Sequence, residues 1–348
     1  MSVPADRPSL RNLLHRATRR VCHKATNLPK SAPPLVSNVR HDMYDAISPA
    51  HALAHAAQGL AVLITGSGRG VGRAEALAFA QAGAKKIVLT SRSRDELEEV
   101  KKEIEEATRD CRTPEEGECE VIVHVADLCD PASVDALFEA AGDLDVLINN
   151  AGYLEPCVPI RDSDPSEWKR TLDINHYGTY LATRAFLRAA HARGVGEEQG
   201  VGGANGNKEV TVINTSSIGS AGTRPGFSCY QPGKSMINRF TEFVHFEEPA
   251  VRAFALHPGG VMTKLARDSM PPDTHDSLTD KPELAAGFAV WLATSKKADF
   301  LRGRYVSANW DVDQLVAKRD EIVQKDLLWT RVVGQEQVMP HSTHVHLY

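Results

Sequence analysis

Ala61-Val62-Leu63-Ile64-Thr65-Gly66-Ser67-Gly68-Arg69-Gly70-Val71-Gly72 is the stretch that decides the fold. Its first five residues, mostly apolar, read as a short buried strand. Glycines then turn the chain. Residues 73–82 are good helix formers and stop at Gly83. A strand running through glycines into a helix leaves free N–H groups and a positive dipole end at the turn. Such a turn can seat a phosphate, and the glycines let a pyrophosphate come close. The spacing is not G-x-G-x-x-G: counted from Gly66 or Gly68, the last glycine is replaced by Val71 or Arg73. A plain tight turn would use the same glycines. Placement between strand and helix favours the nucleotide reading.

Working outward, strand-like and helix-like runs alternate. Residues 86–90, 121–125, 144–148, 210–214, 251–256 and 305–308 are further strand candidates, and 166–191 and 235–246 are helical. Ser93-Arg94-Asp95-Glu96 has the form of a capping box. Apolar strands alternating with helices imply an α/β protein with a doubly wound parallel sheet covered on both faces. Ligands bind such sheets beyond the C-terminal strand ends.

The chain has 348 residues, 42% hydrophobic and 24% charged, which suits a globular protein with a sizeable core. A net charge of −5 argues against a nucleic-acid partner held by overall charge. No apolar run is long enough to span a membrane. The six cysteines are scattered without a C-x-x-C pair, which reads as reduced thiols in an intracellular protein.

Residues 1–50 form a basic, Pro-interrupted extension. Arg7, Arg11, Arg16, Arg19, Arg20 and Lys24 accompany Leu10, Leu13, Leu14, Ala17 and Val21 at helical spacing. A surface leader in a cytoplasmic protein is the plain reading, and a mitochondrial presequence is the alternative. Residues 193–208 read as a glycine-rich mobile insert. His341, His344 and His346 lie on a tail without a rigid frame, so no metal site is assigned.

Dinucleotide folds often place an acid on the ribose 2′-hydroxyl at the end of the second strand. Here that position reads Thr90-Ser91-Arg92, with Arg69 nearby. Arginine can pair with a 2′-phosphate that an acid would repel, so NADP(H) is favoured over NAD(H).

Tyr230 and Lys234 are four residues apart and share a helix face. A nearby ammonium and a positive nicotinamide would lower the phenol's pKa, making it an acid or base nearer neutral pH. Ser217, thirteen residues upstream of Tyr230, would hold a substrate oxygen. Strand alternation points Ser216 and Ser217 in opposite directions. Pro232 is tolerated only in a first helical turn, so Tyr230 is expected at the helix start.

Thr65-Gly66-x-x-x-Gly70-x-Gly72, Asn149-Asn150-Ala151-Gly152, Asn175, Ser217, Tyr230-x-x-x-Lys234 and Pro258-Gly259 follow in this order. Through them the chain, over about residues 58–310, resembles the short-chain dehydrogenase/reductase family. Its flanks resemble members from filamentous fungi. The resemblance implies a single Rossmann-type domain, taken as residues 51–312, with a helical C-terminal extension and tail at 313–348. It implies that Gly66, Ser67, Gly70, Val71 and Gly72 cradle the pyrophosphate and that Asp127 and Leu128 meet the adenine. Asn150, Ala151 and Gly152 would line the ribose. Pro258, Gly259, Val261 and Thr263 would contact the nicotinamide amide. Lys234 would bond the nicotinamide ribose, and Asn175 would hold a water leading from Lys234 to solvent.

Two departures stand out. Gln231-Pro232-Gly233 separates Tyr230 from Lys234, where the family often has small residues and a serine. Trp310-Asp311-Val312-Asp313 replaces the usual glycine pair after the last strand, which puts the family's usual tetramer in question and leaves a homo-oligomer open. Tyr153, Leu154 and residues 219–229 and 264–281 are expected around the substrate, the last as a lid. The expected function is NADP(H)-dependent interconversion of a small-molecule carbonyl and an alcohol, in fungal secondary metabolism. The alternatives are NAD-dependent alcohol oxidation and a non-catalytic dinucleotide-binding regulator.

Overall fold

The structure, a computed structural model, describes residues 34–109, 117–196 and 209–332. Seven strands form one parallel sheet in the order β3-β2-β1-β4-β5-β6-β7. They are β1 (Ala61–Thr65), β2 (Lys86–Ser91), β3 (Glu120–Val125), β4 (Val146–Asn149), β5 (Val210–Thr215), β6 (Val251–His257) and β7 (Tyr305–Ser307). Helices α1 (Gly70–Gln81), α2 (Arg94–Thr108) and α3 (Pro131–Ala141) connect the first four strands. Between β4 and β5 run α4 (Pro165–Leu172) and α5 (Gly178–Ala192), joined by a π-helical turn at Asp173–Tyr177. The sequence reads that stretch as one helix. The π turn contains the buried Asn175, and such turns recur at functional sites. α6 (Tyr230–Glu247) precedes β6, and α7 (Lys264–Ser269) and α8 (Pro282–Thr294) precede β7.

β1, β5 and β6 are buried almost throughout because helices cover both faces. Alternation sends Val62, Ile64, Ile87 and Leu89 into one core with α1, α2 and α8. Ala61, Leu63 and Val88 enter the other with α3 and α5. The strand order reverses between β1 and β4, which opens a crevice above their C-terminal ends.

The described part of the N-terminal extension packs on this body. Ile47 is fully buried, Val39 bridges Trp310, and Arg40 pairs with Asp311 at 2.6 Å. After β7, Asp311 caps α9 (Val312–Ala317), which is followed by α10 (Arg319–Gln324). The chain then crosses α6, where Trp329 stacks on Phe246 and Arg331 pairs with Glu242 at 2.8 Å. The basic leader's helical pattern, most of the glycine-rich insert and the C-terminal histidines lie outside the described residues.

Candidate active site

The crevice is a continuous cleft of about 1850 Å³, larger than a drug-sized pocket and roomy enough for a dinucleotide with a substrate. Gly66, Arg69, Gly70, Val71, Arg92, Asp127, Leu128, Asn150, Ala151, Gly152, Ser217, Tyr230, Lys234, Pro258, Gly259, Val261 and Thr263 all line it. Ser67, Gly72 and Asn175 do not line it, and shape it from behind.

The glycine turn is built around Asn150. Its Nδ2 donates to the carbonyls of Thr65 and Gly66 at 3.0 and 3.2 Å. Gly72 is needed for this approach, since a Cβ there would lie 2.4 Å from that Nδ2. Thr65 Oγ1 accepts the N–H groups of both Asn150 and Ala151 at 3.0 Å. The fully buried Ser67 is spent on β2, its Oγ accepting from the Thr90 N–H at 2.9 Å. Helix α1 opens onto the cleft with the unpaired first-turn N–H groups of any helix start. This fits a pyrophosphate.

At the β2 end the sequence reading needs correction. Ser93 precedes α2 without a side-chain cap, so no capping box forms. Glu96, its expected partner, binds Arg69 at 2.8 Å instead. Arg69 therefore arrives with its charge countered. Arg92 stands exposed at the cleft rim.

Tyr230 is the first residue of α6, with Pro232 in the first turn, where its missing N–H costs nothing. Ser217 follows the end of β5 beside Tyr230, close enough for its hydroxyl to favour the phenolate. Its Oγ also accepts the Gly219 N–H at 3.0 Å. Ser216 points away, its Oγ bonded to Asn238 at 2.5 Å. Lys234 is buried, and its Nζ donates to the Thr215 carbonyl at 2.6 Å and lies 5.5 Å from the Tyr230 ring centroid. Burial pulls its pKa down to about 8. The expected lowering of the Tyr230 pKa is not what the protein alone produces. Burial pushes that phenol up, with Ser217 pulling the other way and the Glu155 charge adding to the rise.

Asn175 clamps the loop after β4. Its Nδ2 donates to the Tyr153 carbonyl at 2.6 Å, and its Oδ1 accepts the Tyr153 N–H at 2.9 Å. The buried Glu155, unmarked in the sequence, reaches across to α6. Its Oε1 accepts the N–H groups of Cys229 and Tyr230 at 2.9 and 3.0 Å. Asp280, which the sequence marks only as part of the expected lid, ties the turn after β6 to both flanks. It accepts the Gly260 N–H at 2.6 Å and the Asn309 amide at 2.8 Å, and meets His41 of the N-terminal extension at 2.5 Å. His257, ending β6, lines the cleft. Burial lowers its pKa to about 4, so it stays neutral and accepts the Ile218 N–H at 3.1 Å. These partners lie far apart in sequence, and no spacing reveals them.

A doubly wound sheet with a helix start for phosphate and a Ser–Tyr–Lys cluster at the same cleft defines a dinucleotide-dependent oxidoreductase. A family model described as short chain dehydrogenase matches residues 60–273. The chain belongs to the short-chain dehydrogenase/reductase family. It is 40% identical over 301 residues to short chain dehydrogenase mpl6 of Monascus purpureus, covering 86% of this chain and 96% of that protein. It is similar to 3-ketoacyl-(acyl-carrier-protein) reductase from Brucella melitensis complexed with NADH. The TM-score is 0.60 and the identity 29%, over 72% of this chain and 96% of that one. A gluconate 5-dehydrogenase from Burkholderia cenocepacia, solved with NADP and tartrate, gives a TM-score of 0.59 and 27% identity over 74% and 96%.

Proposed function

We propose that this enzyme interconverts a small-molecule carbonyl and an alcohol with NADP(H), in fungal secondary metabolism. The observation that carries this reading is that Ser217, Tyr230 and Lys234 line the same cleft, with Lys234 Nζ 5.5 Å from the Tyr230 ring centroid. The first turn of α1 would hold the pyrophosphate, Asp127 and Leu128 the adenine side, and Val261 and Thr263 the nicotinamide amide. When bound, the nicotinamide supplies or accepts hydride. Ser217 holds the substrate oxygen by hydrogen bonding. In reduction, Tyr230 gives its phenolic proton to that oxygen, and in oxidation it takes the proton back. Lys234 supplies positive charge beside the phenolate while protonated. Asn175 fixes the Tyr153 loop that closes the substrate side.

Tyr230→Phe keeps the ring and removes the proton. It is expected to lower turnover of a carbonyl panel by at least about 100-fold, followed by NADPH absorbance. NADPH binding, followed by fluorescence, should stay within about threefold of wild type. Near-normal turnover by this variant would sink the assignment.

Arg92 supports NADP(H), and Glu96 beside the same strand end supports the second reading, NAD-dependent alcohol oxidation. The two separate in cofactor titrations. For NADP(H) use, Arg92→Ala should weaken NADPH about tenfold or more and leave NADH nearly unchanged. Equal effects on both cofactors would favour the NAD reading.

A further inference from the structure

Glu155 lies 75 residues before Tyr230 in the chain, on the loop after β4. It is 4% exposed. One oxygen collects two backbone N–H groups at the start of α6, and the other, Oε2, is buried without a partner. A capping side chain usually comes from the residue just before a helix. Cys229 holds that position here and makes no side-chain cap. The loop supplies the carboxylate instead and binds the backbone of the reacting residue itself. Fixing that N–H fixes the first turn from which the phenol projects.

The carboxylate also brings charge. Other titratable groups around Tyr230 are otherwise engaged or neutral. Lys234, on α6, gives its ammonium to Thr215. Tyr153, on the β4 loop, turns its hydroxyl to Glu167 of α4, and Arg170 of α4 stacks on the Tyr153 ring. His257 of β6 is neutral above about pH 4, and burial pushes the Cys229 thiol up to about 12. In the π turn, His176 is lowered by burial, which favours its neutral form. Burial is the main cause that disfavours phenolate, Ser217 pulls against it, and the Glu155 charge adds to the rise.

We propose that Glu155 is a positioning residue for Tyr230, seating the start of its helix through two backbone N–H groups and setting the charge that the reacting phenol faces. This rests on Tyr230 being the proton-exchanging group.

The test titrates the phenol directly. Protein with ¹³C at tyrosine Cζ is saturated with NADP⁺, whose positive nicotinamide brings the phenol into an accessible range. The Tyr230 resonance is the one missing from Tyr230→Phe. Glu155→Gln keeps both N–H contacts and removes the charge. Its phenol is expected to titrate about one pH unit below wild type. Glu155→Asp keeps the charge, and should stay within about 0.3 units. If Glu155→Gln does not fold, Glu155→Ser serves as the neutral variant. A neutral variant titrating with wild type overturns the proposal, as does an Asp variant that falls as far as the neutral one. Turnover by Tyr230→Phe would instead overturn the active-site reading, so the two failures are distinct.

Discussion

At the residue scale, the sign of each pKa shift matters more than its size. Lys234 was expected to lower the Tyr230 pKa, but its own desolvation dominates. Its pKa is depressed to about 8, so the ammonium is present below that pH and is lost as pH rises through it. If the ammonium holds the nicotinamide ribose, NADPH binding must weaken on the alkaline side. Between pH 8 and 9.5 the dissociation constant of wild type should rise by about tenfold or more. Lys234→Met, which has no proton to lose, should bind more weakly at pH 7 and show little further change. Fluorescence titrations at half-unit pH steps check this. Parallel wild-type and variant curves would remove Lys234 from cofactor binding. The pair's i, i+4 spacing was legible in the sequence. Its electrostatics were not, because they depend on burial and on the Thr215 carbonyl, which lies on another element.

At the element scale, the turn after β6 is held by contacts from both ends of the chain. Gly259 has φ +95°, a left-handed conformation that suits glycine. A Cβ there would lie 2.6 Å from Asp280 Oδ2. Gly259→Ala therefore adds backbone strain and displaces the carboxylate holding Gly260. It should destabilise the fold by about 1–3 kcal/mol. It should also weaken NADPH binding, because Val261 and Thr263 follow the turn. Calorimetry and fluorescence titration measure the two effects, and a variant with wild-type values for both would show the turn to be tolerant. Pro258-Gly259 was legible as a motif. Asp280, His41 and Asn309 were not, since their meeting requires the sheet to be assembled. The strands were legible for the opposite reason: a fully covered parallel strand must be an apolar run. The π turn at Asn175 left no trace, because it is set by where α4 and α5 pack, not by local propensity.

At the scale of the whole molecule, the two cores on either side of the sheet are mainly apolar, and one buried acid stands out. Glu75, in the middle of α1, is fully buried, and neither carboxylate oxygen has a hydrogen-bond partner. Nothing in the sequence marks it, since glutamate is an ordinary residue on an exposed helix face. Burial raises its pKa to about 8. The folded value thus lies above the unfolded one. The neutral acid is tolerated at low pH, and stability falls as pH rises from about 4.5 through about 8. At pH 8 the cost of the buried group is on the order of 4 kcal/mol relative to pH 4. Glu75→Met keeps an unbranched, helix-compatible side chain of similar length and removes the ionisable group. The variant should melt several degrees above wild type at pH 8, with the gap narrowing toward pH 5 as the native carboxyl becomes neutral. Thermal unfolding of both proteins across pH 5–8.5 tests this. The difference between their curves cancels every other titrating group, so a gap independent of pH would mean that Glu75 does not titrate in this range.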